Sequence, residues 1–138
     1  MIVTSKIGIQ TRGECDLIDI TDEVRREVGA SGVNSGTVTV FISGSTAGVT
    51  TIEYESGGLS DLQAMWERLV PRDMAYQHDR RWGDGNGYSH VRASLLGPSL
   101  VMPFTDRHLH LGTWQQIIVA DFDNRPRSRE VVLQIAGE

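Results

Sequence analysis

The run Thr37-Val38-Thr39-Val40-Phe41-Ile42 constrains the fold more than any other stretch. It is rich in β-branched residues, which fit a pleated surface and lose rotamer freedom in a helix. Ser35-Gly36 before it and Ser43-Gly44 after it are turn residues, so the run predicts a short central strand. A chain that carries such a strand must supply partners for its edges and a core for its faces.

The rest of the sequence offers those partners. Ile2 to Thr11 alternates loosely, and Arg12-Gly13-Glu14 leads into Cys15 to Ile20, a pattern that predicts a hairpin. Val49 to Tyr54 reads as a strand with Glu53 among apolar neighbours. Leu100 to Phe104 is a short strand whose Pro103 predicts an edge or a terminus. Leu109 and Leu111 share a strand face, Ile117 to Phe122 is a buried strand, and Arg129 to Ile135 alternates with Val131 and Leu133 opposite Val132 and Gln134.

Helical signals are fewer. Thr21 is suited to cap a helix with Asp22 and Glu23 in its first turn and Val24 and Val28 on one face; Gly29, Ser31 and Gly32 end it. Gly57-Gly58 breaks the preceding strand, Ser60 or Asp61 caps the next segment, and Leu62, Met65, Trp66 and Leu69 mark an apolar helix face that stops before Pro71. Val91 to Leu96 fits a short helix or a strand equally well. About seven to nine short strands and two or three helices, joined by hairpin-length connections, predict an α+β fold. Its mostly antiparallel β-sheets pack as a sandwich in one domain over residues 1–138, and no βαβ series is present.

A formal charge of −5 argues against a general nucleic-acid or anionic-membrane binder. No apolar run approaches the roughly 18 residues that span a bilayer, and residues 1–6 lack the layout of a signal peptide, so the expected location is cytoplasmic. Cys15, the only cysteine, reads as a buried apolar thiol.

The chemistry gathers in Trp82-Gly83-Asp84-Gly85-Asn86-Gly87-Tyr88-Ser89-His90. Alternating glycines let a backbone turn tightly and approach a ligand, while Asp84, Asn86 and His90 supply a carboxylate, an amide and an imidazole. The same groups also serve as turn caps and as a satisfied histidine. Gly44, Ser45 and Thr46 offer N–H and O–H donors to an anion, or form a plain connecting loop. Glu53 is costly within an apolar strand unless it is paired or faces solvent. Thr113, Trp114 and Gln115 offer a ring wall and an amide for a planar heterocycle, against the simpler reading of a core tryptophan with Gln115 outside. Arg80, Arg81 and Arg92 are candidates for phosphate; His78, in a charged stretch, reads mainly as a surface residue with a possible site role, and His108 and His110 read as exposed.

Four ordered blocks resemble one family. They are Gly83-Asp84-Gly85-Asn86-Gly87 with His90, Ala93-Ser94-Leu95-Leu96-Gly97-Pro98-Ser99, Leu111-Gly112-Thr113-Trp114-Gln115-Gln116, and Asp123-Asn124-Arg125-Pro126-Arg127. From about Thr37 to the end the chain is similar to the YjbQ/UPF0047 family. That resemblance implies an α+β fold of packed sheets, a homotrimer, a pocket near the subunit interface, and low-level thiamine-phosphate synthase activity, which joins a pyrimidine diphosphate to a thiazole phosphate. One position departs from the family pattern: where His-Thr-Thr-Ala is usual, this chain reads Gly44-Ser45-Thr46-Ala47.

The combined expectation places His90, Glu53 and Asp84 as catalytic groups. Gly44, Ser45, Thr46, Asn86, Thr113, Trp114 and Gln115 form the walls for a small phosphorylated or heterocyclic ligand. Asp84 and His90 are the metal candidates, and an oxygen-rich set without the histidine at position 44 favours Mg²⁺ over Zn²⁺. The alternative, from a different class, is a non-catalytic trimeric binding or scaffold protein that retains the pocket.

Overall fold

The computed structural model describes residues 1–138. The strands are β1 (Ile2–Thr11), β2 (Asp16–Asp19), β3 (Gly36–Ile42), β4 (Ala47–Ile52), β5 (Ser99–Thr105), β6 (His108–Leu109), β7 (Gln116–Asp121) and β8 (Arg127–Gly137). The helices are α1 (Thr21–Ala30), α2 (Ser56–Leu69), α3 (Gln77–Trp82) and α4 (Gly87–Leu96). One sheet has the order β1-β8-β3-β5-β6 and the other β2-β7-β4, with every pairing antiparallel. The α+β class and the packed sheets are as expected; the helices number four because α3 and α4 both form.

β3 is central, flanked by β8 and β5, as its β-branched run requires. Its Val38, Val40 and Ile42 join Val131, Leu133 and Ile135 of β8 and Val24 and Val28 of α1 in the core between the sheets. β7 explains its own continuous apolarity. Ile117 and Val119 face that core, while Ile118, Ala120 and Phe122 face a second core with Trp66 of α2 and Tyr88 and Ala93 of α4. Burial on both faces keeps Ile117, Ile118, Val119 and Ala120 of β7 apolar, and Trp66 packs edge-on against Phe122 at 4.9 Å.

The N-terminal hairpin does not form. β1 pairs with β8 and β2 with β7, so the two strands belong to different sheets. The linking turn achieves this through consecutive left-handed residues, Gly13, Glu14 and Cys15 at φ of 82°, 56° and 61°. A Cβ at Gly13 would lie 2.7 Å from the carbonyl oxygens of Asp123 and Arg125, so only glycine fits there. Cys15 is buried just before β2, and burial pushes its thiol pKa up to about 11.

Three further expectations change. The strand containing Glu53 ends at Ile52, leaving Glu53 exposed beyond it rather than among apolar neighbours. Gly57 and Gly58 do not break a strand but open α2. The carboxylate of Glu55 accepts their N–H groups, so Glu55 is the cap in place of Ser60 or Asp61. Thr21 lies inside α1, where its amide and hydroxyl donate to Asp19 at 2.9 and 2.6 Å. Its oxygen accepts from the Ile117 amide, tying α1 to β7.

Candidate functional site

β4 separates the predicted site residues into two groups. Gly44, Ser45 and Thr46 precede its first residue and Glu53 follows its last. At about 3.3 Å per residue the ends of the strand lie roughly 20 Å apart. The expectation of one shared pocket is therefore corrected within a single chain.

At the first end, a cleft of about 380 Å³ gathers Gly44, Ser45, Thr46, Asp84, Asn86 and His90. It also gathers residues that the sequence did not single out for a site. Arg127 and Arg129, at alternate positions of β8, point inward beneath it. Asp121 and Asp123, at the end of β7, are fully buried. Arg129 donates from Nε to Asp121 Oδ2 at 2.8 Å and from Nη2 to Asp121 Oδ1 at 3.0 Å, the bidentate arrangement that matches guanidinium to carboxylate. Its Nη2 also donates to Thr46 Oγ1 at 2.6 Å. Arg127 Nε donates to Asp123 Oδ2 at 2.6 Å. Each arginine thus spends part of its donor fork on a buried aspartate and lines the cleft with the remainder.

Asp123 organises the other walls. It accepts from the Asn124 amide at 2.8 Å, from Thr46 Oγ1 at 3.1 Å and from Asn86 Nδ2 at 3.3 Å. Burial raises the Asp123 pKa, but these donors and Arg127 overcome it, so the carboxyl lies below its ordinary value. Asn86 is itself buried; with its amide nitrogen fixed on Asp123, its Oδ1 has no donor.

His90 lies on the first turn of α4, a helix anchored to β7 by the Ser89 hydroxyl on the Phe122 carbonyl. Burial, then the neighbouring His78, lowers the His90 pKa, while Asp123 and Asp84 oppose the shift. The two imidazoles lie 4.3 Å apart between ring centroids at 39°. His78 is partly buried rather than a plain surface residue. It sits on α3, with Nδ1 3.4 Å from Asp84 Oδ1 and 3.8 Å from Asp79 Oδ1. Asp79 is held in turn by the Gly87 amide at 2.8 Å.

Position 44 has its own geometry. Gly44 adopts φ 143°, and a Cβ there would lie 2.6 Å from Arg129 Nη1. The guanidinium occupies the space that a side chain at 44 would enter.

The other end of β4 carries a second depression of about 370 Å³, lined by Glu53, Thr113 and Trp114 with Asp19, Asp22 and Tyr54. Trp114 is 73% exposed, so it is not the core residue of the simpler reading. The Gln115 amide is committed, donating to Thr51 Oγ1 on β4 at 3.1 Å and accepting from the Gly112 amide of its own loop at 3.0 Å. Of the arginines proposed for phosphate, Arg92 is withdrawn to the opposite side of α4, where it donates to the Val70 carbonyl and to Glu67 at 2.9 Å. Arg81 lies over the Trp82 ring at 5.4 Å.

Asp121, Asp123, Arg127 and Arg129 had a signal in the sequence. An acid at the end of a doubly buried strand demands a cation on the neighbouring element, and two inward-alternating arginines supply it.

A two-sheet antiparallel α+β protein with its buried ion pairs collected at one end of the sheets is the class that the fold and cleft define. Residues 5–138 match the family described as UPF0047 protein YjbQ-like, and the chain belongs to that family. A UPF0047 protein of Methanothermobacter thermautotrophicus is 38% identical over 137 residues, covering 99% of this chain and 94% of its own. A solved YbjQ-like protein of unknown function from Sulfolobus solfataricus P2 is similar with a TM-score of 0.95 at 29% identity, covering 100% of this chain and 99% of the other. A solved yjbq/upf0047 family protein from Clostridium acetobutylicum gives 0.87 at 32% identity over 96% and 99% of the two chains.

Proposed function

We propose that the cleft at His90 binds a small phosphorylated substrate and carries the low-level thiamine-phosphate synthase chemistry implied by the family resemblance. The observation that carries this reading is the pair of arginines whose remaining donors line the cleft beside Ser45, Thr46 and His90. In that reaction the C–O bond between the pyrimidine methylene and the diphosphate breaks, its electron pair leaving with the diphosphate. The thiazole nitrogen uses its lone pair to form the new C–N bond. No protein nucleophile is required. Stabilisation of the leaving anion is, and donors held in place before the reaction provide it at no cost of reorganisation. Arg127 and Arg129 are held by buried aspartates, Thr46 braces Arg129 and Asp123, Ser45 would add a hydroxyl contact, and His90 would give a proton to the departing oxygen. A divalent cation would share the neutralisation of the diphosphate.

The second depression enters this reading through self-association. In the homotrimer that the resemblance implies, Glu53 and the exposed Trp114 of one copy would complete the cleft of the next. The exposed Phe41 and Val101 on the outer face of the larger sheet support association between copies.

Complementation of a thiamine-requiring strain, with assay of the purified protein on both substrates and Mg²⁺, tests the synthase reading. Growth and turnover above a His90→Ala control are expected, and turnover no higher than that control would sink it. One observation favours the non-catalytic binding alternative: Arg129 Nη1 lies against position 44, where the family pattern given by the resemblance has a histidine. Native mass spectrometry of the protein as purified separates the two, because a retained phosphorylated metabolite without turnover supports the binding protein.

A further inference from the structure

We infer that His78 Nδ1, Asp79, Asp84 and the Asn86 side-chain oxygen form a binding site for one divalent cation of the Mg²⁺ and Mn²⁺ class, leaving His90 free of metal. The inference rests on the phosphorylated-substrate reading only for the use of the cation, not for the site itself.

Geometry comes first. The ligand atoms of His78, Asp79 and Asp84 all lie within 4.8 Å of one another. Two ligands each about 2.1 Å from one ion stand about 3 Å apart when adjacent and about 4.2 Å apart when opposite. The 3.4 and 3.8 Å separations from His78 Nδ1 fall in that range. Asp84 is half exposed and free to close the remainder.

A cluster of carboxylates is common on protein surfaces, so the unpaired atoms decide. His78 Nδ1 is buried yet makes no hydrogen bond to either aspartate beside it. Asn86, 5% exposed, lines the same cleft with an unpartnered oxygen. Its amide group cannot be turned over, because the oxygen would then face the Asp123 carboxylate. Buried acceptors without donors are rare in folded proteins, and two in one cleft mark a place where a cation or donor belongs.

Charge balance points the same way. Asp121 and Asp123 neutralise Arg129 and Arg127. Asp84 on the cleft wall and Asp79 beside it then carry carboxylates that no arginine or lysine pairs. A diphosphate would be repelled unless a divalent ion entered with it. One imidazole nitrogen among oxygen ligands is acceptable to Mn²⁺ and less favourable to Mg²⁺, so Mn²⁺ binds the more tightly. The assignment also separates two duties that the sequence left on one residue: His78 holds the ion and His90 handles the proton.

The test is Mn²⁺ titration of the chelator-treated full chain, followed by electron paramagnetic resonance of free Mn²⁺. One saturable site per chain is expected. Asp84→Asn and His78→Gln each weaken it at least tenfold, while His90→Phe, which keeps the ring stack, leaves it unchanged. Thermal melts confirm that each variant is folded, and Asp84→Asn alters a half-exposed carboxylate. Absence of saturable binding at millimolar Mn²⁺, equal binding by all variants, or loss in His90→Phe with retention in His78→Gln would overturn the inference. Turnover without an Mn²⁺ site refutes this site and spares the synthase reading; an Mn²⁺ site without turnover does the reverse.

Discussion

The two ends of β4 teach different things about how this chain places polar groups. At the His90 end, Asp121 and Asp123 are fully buried, and the groups around them are tied into one set of charge-assisted hydrogen bonds. At the Glu53 end, the acids surround an open depression and Trp114 stands in solvent. The first end is built by long-range partners on β7, β8 and α4. The second is assembled mainly from loops beside the strand ends and gains little from the fold of its own chain. One end is a buried, hydrogen-bonded set of charges and the other a set of exposed side chains.

The comparison breaks most readily at Asp121. Asp121→Asn leaves the nearly buried Arg129 guanidinium without its carboxylate, and losing one member of a buried pair costs about 3–5 kcal/mol. Glu53→Gln at the other end should change stability by no more than about 0.5 kcal/mol. Urea unfolding measures both, and equal effects would mean that the buried ion pairs do not distinguish the two ends. Acid sharpens the same contrast. Because the native pKa of Asp123 is depressed, the stability it contributes is complete above the unfolded-state value of about 3.9 and is lost as pH falls through the native value. The urea midpoint should therefore drop below about pH 4, and Asp123→Asn should flatten that drop.

Gly44→His is the next largest. It restores the residue type of the family pattern, yet φ 143° and the Arg129 guanidinium oppose any side chain there. A loss of about 1–3 kcal/mol is expected from the backbone alone. A variant as stable as the parent, with raised turnover, would show that Arg129 moves aside and that the cleft accepts a third imidazole.

The sequence reveals these two ends unequally. β3, β7 and β8 are legible because burial leaves an unbroken or alternating apolar pattern in each. The pairing of β1 with β8 is not legible. A Gly-containing turn between two strands reads as a hairpin, and only the left-handed run from Gly13 to Cys15 sends the second strand to another sheet. Glu55 escapes notice because a glutamate cap lies outside the usual Ser, Thr, Asp and Asn set. Asp84, Asn86 and His90 stand out by residue type and spacing, and the fold brings them to one cleft. Arg127 and Arg129 do not, since their meaning depends on Asp121 and Asp123, which the fold brings to them from the other sheet. His78 is only partly legible because α3 carries charges on most sides, and its packing against His90, which half-buries the ring, depends on the fold.

Trp114 carries the smallest effect on the single chain and the most on the reading of the second end. Its ring is 73% exposed, so Trp114→Ala removes little buried area within the chain. The expected change in unfolding free energy is within about 0.5 kcal/mol. If the Trp114 end is where copies meet, the same variant weakens assembly, because aromatic residues centred in an interface dominate its energy. Native mass spectrometry across a dilution series should then show trimer dissociating at higher protein concentration in Trp114→Ala than in the parent, while Gly44→His leaves the assembly unchanged. A single-chain loss above 1 kcal/mol would instead place the ring in intramolecular packing. An unchanged assembly would detach Glu53 and Trp114 from the His90 cleft altogether, leaving that cleft to bind its ligand with the residues of one chain.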